Sequence, residues 1–242
     1  MVLTKNEAPR LAQTLARVPA GTALYVLDAE STDATAEVAR ACGAVVEERA
    51  WTGYVDARRY ALGRVTTPYA FMLDADELLS EELSAALTGD LSGADGFRVR
   101  RVTMLAGRAV RAAGWSAERL VRCFRVDRAR VVGNSVGGAA DLHERWMVDG
   151  TVADLPGMIV HDSYPSVASY RERFARYTQI EAAALRGSWF AWTGALLKFP
   201  LRLGWFWARY GAWRDGWRGA FVAWYSALYP LAVQWRALNA AR

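Results

Sequence analysis

The chain has 242 residues, 53% of them hydrophobic and 23% charged, and a net charge of +5. That length can bury a sizeable core, and the composition excludes a disordered or low-complexity segment. Two cysteines, Cys42 and Cys123, form no C-x-x-C pair, which excludes a disulfide framework and a cysteine-rich zinc module. Two histidines, His143 and His161, leave any metal to be held mainly by oxygen.

The charge is unevenly placed. Residues 1–169 carry 19 Lys and Arg against 22 Asp and Glu, whereas residues 170–242 carry 11 against 3, giving −3 and +8. The basic part also holds eight of the 11 tryptophans. Basic residues among tryptophans suit an anionic membrane surface or a nucleic acid. The acidic first part and the long apolar runs of the second argue against nucleic acid. The opening MVLTKNEAPR lacks the basic, apolar and small-residue succession of a cleaved secretory signal, so none is expected.

In chain order, TALYVLD (22–28) predicts a strand ending in Asp28, and STDATAEVARACG (31–43) a helix from a Ser/Thr/Asp cap to Gly43. AVVEE (44–48) predicts a second strand, YVDARRYALGRV (54–65) an amphipathic helix, and YAFMLD (69–74) a third strand. This alternation predicts an α/β fold with a mostly parallel sheet and helices on both faces. Ligands of such sheets gather beyond the carboxyl ends of the strands, so Asp28 and Asp74 are expected on one rim. GFRVRRVTMLAGRAVRAAGW (96–115) and RLVRCFRV (119–126) read as strands with one wet face. From 166 onward the pattern is helical, in three stretches. The longest uncharged run, 17 residues from Gly219 to Trp235, contains Pro230 and suits a helix lying in a membrane interface better than a span. The expected domains are therefore 1–165, catalytic, and 166–242, a helical appendage. On it Lys198, Arg202 and Arg209, followed by Arg214 and Arg218, are expected to line a cationic helix face. A helical subdomain packed on the core, or an oligomer interface with a second copy, is the other reading of that region.

Asp74, Asp76 and Glu77 crowd the end of the third strand. Carboxylates so close repel one another, and two with a single spacer can grip one hard cation, with Mg²⁺ or Mn²⁺ bridging to phosphate oxygens. The alternative is that Asp76 caps a helix over ELLSEELSAAL while Asp74 sits in an exposed turn.

The segments LTKNE (3–7), VLDAESTDAT (26–35), WTGYVDARRYAL (51–62) and FMLDADE (71–77) resemble, in order and spacing, the family 2 glycosyltransferases. GFRVRR, GRAVRAAGW, ERLVRCFR, LHERWMVDG and HDSYPSVASYRERFARY further resemble the branch with lipopolysaccharide-core glucosyltransferases. The resemblance implies a GT-A fold and inverting transfer of a sugar from a nucleotide-diphosphate donor, UDP-linked by expectation, with Mn²⁺ or Mg²⁺ as cofactor. It also implies roles. Thr4 and Glu7 would border the nucleotide, Asp28 would bind base or ribose, and Arg58 would approach the diphosphate. Asp74 would lie near ribose and metal, and Asp76 would be the principal metal ligand. Glu144 is the expected general base with Glu118 as runner-up, since inversion needs one base. His143, His161, Arg119 and Arg122 are candidate contacts to diphosphate, metal or acceptor. The expected acceptor is a glycolipid or other cell-envelope glycan, met at the cytoplasmic membrane face by a peripheral or monotopic enzyme. A polyprenyl-phosphate acceptor is the alternative, and a sugar-nucleotide-binding scaffold without turnover is the rival from another class. In two places the chain departs from the family. The first strand is short, MVLT, and Ala29-Glu30 stands where relatives have a small residue and Gly, whose positive φ Glu adopts at a cost.

Overall fold

The computed structural model describes residues 1–111, 115, 118–133 and 144–240. In chain order it contains β1 (Val2–Thr4), α1 (Ala8–Leu15), β2 (Tyr25–Asp28), α2 (Thr35–Ala41), β3 (Val45–Glu48) and α3 (Tyr54–Leu62). There follow β4 (Tyr69–Phe71), β5 (Leu73–Asp74), β6 (Glu77–Leu79), α4 (Glu81–Ala86), β7 (Gly96–Leu105) and β8 (Arg108–Ala109). The last elements are β9 (Arg119–Arg125), β10 (Ala129–Val132), β11 (Arg145–Val148), β12 (Val152–Tyr164), α5 (Val167–Ala183), α6 (Trp189–Arg209) and α7 (Gly216–Ala240). Two compact units emerge. The first holds residues 1–101 with the described residues of 119–134 and 141–161, and the second the described residues of 102–118 and 162–242. The division near residue 161 lies close to the boundary read from sequence, but the second unit also takes in the segment after Arg101.

The first unit is α/β. Its parallel sheet has the order β3-β2-β1-β5, with Thr4 opposite Asp28 and Leu3 opposite Asp74. Side chains alternate across this sheet. Val2, Val26 and Leu73 join Leu11, Leu15 and Ala39 from α1 and α2 in one core, while Leu3 and Leu27 join Ala57 and Ala61 from α3 in another. Both faces are thus covered, as parallel sheets require. A second sheet has the order β4-β9-β7-β12-β6, with β8 paired to β7, and β10 and β11 form a separate antiparallel pair.

Two local expectations change. The run YAFMLD forms two strands: β4 pairs antiparallel with β9, while β5 pairs parallel with β1. Between them the Met72 N–H donates to Arg122 O at 2.7 Å, so one extended segment passes from the second sheet to the first. ELLSEELSAAL is not one helix. Glu77–Leu79 is a strand, with Glu77 opposite His161 and Leu79 opposite Ile159. The helix begins only after Ser80, whose Oγ accepts the Leu83 N–H at 3.2 Å. Ser80, not Asp76, is the cap.

The second unit is built on aromatic packing. Tyr170 of α5 touches Tyr164, Phe221 and Tyr225 at ring separations of 4.7, 5.0 and 5.2 Å. Ser166 and Ser169 cap α5 reciprocally. Arg218 does not extend the cationic helix face. Its Nε and Nη2 donate to the Leu105 and Ala106 carbonyls, each at 2.9 Å. Arg214 lies in the Ala212–Asp215 turn, because the left-handed Gly211 ends the run before α7 starts. Among the described residues no helix is long and apolar enough to cross a membrane.

Gly157 in β12 has φ +82°, and a Cβ there would lie 2.4 Å from Leu83 N. Gly157→Ala should therefore lower stability by about 2 kcal/mol or more, combining strain and a backbone clash. Urea unfolding monitored by circular dichroism checks this.

Candidate active site

The three central strand ends form a rim. β1 ends at Thr4, β2 at Asp28 and β5 at Asp74. The loops after β1 and β2 are stapled together: the Asn6 N–H donates to Ser31 Oγ at 2.8 Å, and the Thr32 N–H to Asn6 Oδ1 at 2.8 Å. The Glu7 N–H donates to Thr35 Oγ1 at 2.9 Å. Asp28 is buried and accepts the Ser31 N–H at 2.8 Å and the Ser31 hydroxyl at 2.5 Å, which fixes the turn. Glu30 has φ +54°, so the turn keeps the left-handed backbone at a non-glycine residue. The Thr4 hydroxyl is buried and has no hydrogen-bond partner among the described residues. Next to these loops a small cleft of about 10 Å³ is lined by Leu3, Leu27, Ala29, Arg49, Ala50, Trp51 and Ala57. Trp51 is exposed and stands edge-on to Tyr54 at 4.6 Å. In the sequence Trp51 gives only a weak signal, a lone aromatic following a strand and a loop.

The acids beside the rim are matched by arginines from distant elements. Arg58 of α3 reaches Asp74 Oδ1 at 3.3 Å and Glu144 Oε1 at 2.9 Å. Arg122 of β9 donates through one nitrogen, Nη2, to Asp74 Oδ2 at 3.1 Å and to Glu77 Oε1 at 2.6 Å. Glu77 is fully buried; it also accepts the Asp74 N–H at 3.0 Å and has Arg101 at 3.6 Å. Burial resists ionisation of Asp74, but Arg122 and then Arg58 overcome it and hold the carboxyl well below its usual range. Burial pushes Glu77 up, against the pull of Arg122 and with the Asp74 charge adding to it. The sequence had placed Asp74 near a metal. Here each of its oxygens faces an arginine, a partner 16 or 48 residues away that spacing could not reveal.

Asp76 stands apart. Its Oδ2 faces His161 Nε2 at 3.2 Å, with Arg10 Nη1 at 4.0 Å. His161 lies there because β12 runs antiparallel to β6 and sets it opposite Glu77. Arg10 was not foreseen; it follows Glu7 by one helical turn and also reaches Glu7 Oε2 at 3.7 Å. The first unit thus brings together Arg58, Asp74, Asp76, Arg122, Glu144 and His161, with Thr4, Glu7 and Asp28 on the same rim. Arg119 is not drawn in: it is paired with Asp154 at 3.3 Å, which also holds Arg98. Glu118 belongs to the second unit, and His143 lies outside the described residues. Cys123 is buried and its thiol is pushed up to about 12 by burial, which leaves it no part as a nucleophile.

Residues 1–97 match the family model described as Glycosyl transferase family 2. An uncharacterized glycosyltransferase of Rickettsia prowazekii is 39% identical over 83 residues, which is 34% of this chain and 28% of that protein. A counterpart in Rickettsia typhi matches to the same extent, so this chain spans little more than a quarter of either relative. Among solved structures, glucosyl-3-phosphoglycerate synthase from Mycobacterium tuberculosis, in complex with Mn²⁺, UDP and phosphoglyceric acid, has a TM-score of 0.47 at 16% identity. The likeness covers 75% of this chain and 74% of that one. Mannosyl-3-phosphoglycerate synthase from Rubrobacter xylanophilus has a TM-score of 0.36 at 21% identity over 43% of this chain and 39% of its own. These structural likenesses are distant.

Arg122→Leu should leave Asp74 and Glu77 without their shared cation and cost about 3–5 kcal/mol. Adding Glu77→Gln should restore part of that loss, because one buried charge is then removed. Chemical denaturation of the single and double variants measures both effects.

Proposed function

We propose that this chain is an inverting glycosyltransferase that moves a sugar from a nucleotide-diphosphate donor, UDP-linked in this reading, to a glycolipid or other cell-envelope glycan. The observation that carries it is the pairing of Asp76 with His161 beside the rim of β1, β2 and β5, in a chain whose first 97 residues match the family model. The acceptor class follows the resemblance of the later segments to the lipopolysaccharide-core branch.

The fit of a divalent cation rests on the donor set. Asp76 Oδ2 and His161 Nε2 are 3.2 Å apart. The pair offers one carboxylate oxygen and one imidazole nitrogen, donors that Mg²⁺ or Mn²⁺ could take. Among the described residues no third His, Cys, Asp or Glu completes a cluster. A Mg²⁺ or Mn²⁺ held by Asp76 and His161 would therefore take its remaining ligands from water and the diphosphate, which is how Mg²⁺ is commonly bound. Such a cation would supply neutralisation of the charge that develops on the departing diphosphate.

The side chains supply the rest. Asp28 holds the Ser31 turn and keeps spare acceptor capacity for ribose or base, while Thr4, Glu7 and the Trp51 cleft border the nucleoside. Arg58, 3.3 Å from Asp74, and Arg10, 4.0 Å from Asp76, would meet phosphate oxygens. The acceptor hydroxyl attacks the anomeric carbon opposite the leaving diphosphate; the new carbon–oxygen bond forms as the old one breaks, and the hydroxyl proton passes to Glu144. Arg58 orients that carboxylate at 2.9 Å.

Donor binding and hydrolysis across a panel of nucleotide sugars, with Mn²⁺, Mg²⁺ or chelator, tests the reading. One donor should bind and turn over only with metal, and folded protein that binds none would overturn the proposal. Asp76→Ala should abolish the metal dependence along with turnover. Glu144→Gln should lower kcat about 100-fold or more with a much smaller change in donor KM. Near-normal transfer by that variant would move the base elsewhere, with Glu118 next to be tested.

A further inference from the structure

Among the described residues of the second unit, no other helix covers the outer face of α6. None of its 21 residues is buried. Trp192, Phe199 and Leu203 face inward and are half-buried, with Phe199 against Trp224 at 5.1 Å and Trp192 against Trp235 at 5.7 Å. Phe190, Leu197, Leu201 and Trp205 recur on the opposite face and are 88, 75, 74 and 57% exposed. Four large apolar side chains on one helix face form the kind of contiguous patch that soluble surfaces rarely leave open.

We propose that this face is a docking surface for the anionic phospholipid headgroup layer of a bilayer, with α6 lying in the plane of the membrane. Charge names the occupant. Lys198, Arg202 and Arg209 are exposed and fall on one flank of the apolar stripe. No Asp or Glu occurs between Glu181 and Asp215, a stretch that carries Arg186, Lys198, Arg202, Arg209 and Arg214. Two copies meeting through α6 would set these cations against one another with no acid of that stretch to offset them. An anionic headgroup layer attracts each cation near its surface. The apolar stripe then enters the acyl boundary, while tryptophans such as Trp189 and Trp207 suit the headgroup level. The helix lies flat because, among the described residues, no helix is long and apolar enough to cross. This docking does not rest on donor chemistry and can stand or fall separately from it.

The test uses the full chain with vesicles of phosphatidylcholine alone and of phosphatidylcholine with phosphatidylglycerol. The protein should sediment with the anionic vesicles, its tryptophan emission should shift to the blue, and brominated acyl chains should quench it. Lys198→Glu with Arg202→Glu should weaken binding to phosphatidylglycerol vesicles about tenfold or more, by the energy of two surface cations. Leu197→Asp with Leu201→Asp should abolish both binding and quenching. These positions are exposed, so the fold should be kept, and a circular dichroism spectrum checks it. A wild-type chain that stays in the supernatant with both vesicle types overturns the proposal, whatever the variants do. So does wild-type binding without quenching, or a dimer in sedimentation equilibrium that Leu197→Asp with Leu201→Asp splits while vesicle binding is absent.

Discussion

One guanidinium nitrogen governs the first unit. Arg122 Nη2 faces both Asp74 and Glu77; the arginine and Glu77 are buried, and Asp74 is partly exposed. The Glu77 carboxylate could not be buried there without a cation, since an uncompensated buried charge costs several kcal/mol. The backbone of the same residue accepts the Met72 N–H, at the point where one extended segment leaves the second sheet for the first. The side chain that neutralises the acids therefore belongs to the strand that delivers them to the rim.

This arrangement makes the two aspartates of Asp-Ala-Asp unequal. Asp74 is committed to Arg122 and Arg58, and through Arg58 it is tied to Glu144. Asp76, two residues on, meets an imidazole instead. Asp74 closes β5, whereas Asp76 lies in the turn between β5 and β6, and β12, paired with β6, brings His161 to it. An arginine bridging Asp74 and Glu144 at 3.3 and 2.9 Å ties the positions of the two carboxylates together through one side chain.

The local alternation of strands and helices was legible in the sequence because caps, glycines and apolar runs mark it. Asp28 and Asp74 fell on the rim as expected, and the strained turn at Glu30 was readable from the missing glycine, its φ of +54° bearing that out. What stayed hidden depended on partners far along the chain. Glu77–Leu79 carries a helix-like pattern yet pairs with Ile159–His161, about eighty residues later, and strand pairing wins over local propensity there. Arg58 and Arg122 stand out in the sequence as candidate contacts to diphosphate or acceptor, but nothing in spacing shows which acids they meet. Arg218 looked like one more surface cation, whereas it satisfies the carbonyls of a turn whose Ala106 has φ +47°.

The second unit shows why a tail that is half apolar need not hide all of it. Its core is made by α7, which buries Gly219, Val222, Ala223, Ala227, Val233 and Ala237 along one stripe. Small residues dominate that stripe and allow close approach; at Gly219 even a Cβ would strike Ala212 O at 1.8 Å. Small side chains fill little volume, so the bulk needed for packing comes from the aromatic rings of α5 and α7. The large side chains of α6 then exceed what one neighbouring helix can cover. With a helix 21 residues long and inward side chains at 192, 199 and 203, about half its circumference is left uncovered by the described residues of this unit. The apolar side chains there are surplus to the packing of the described residues of that unit.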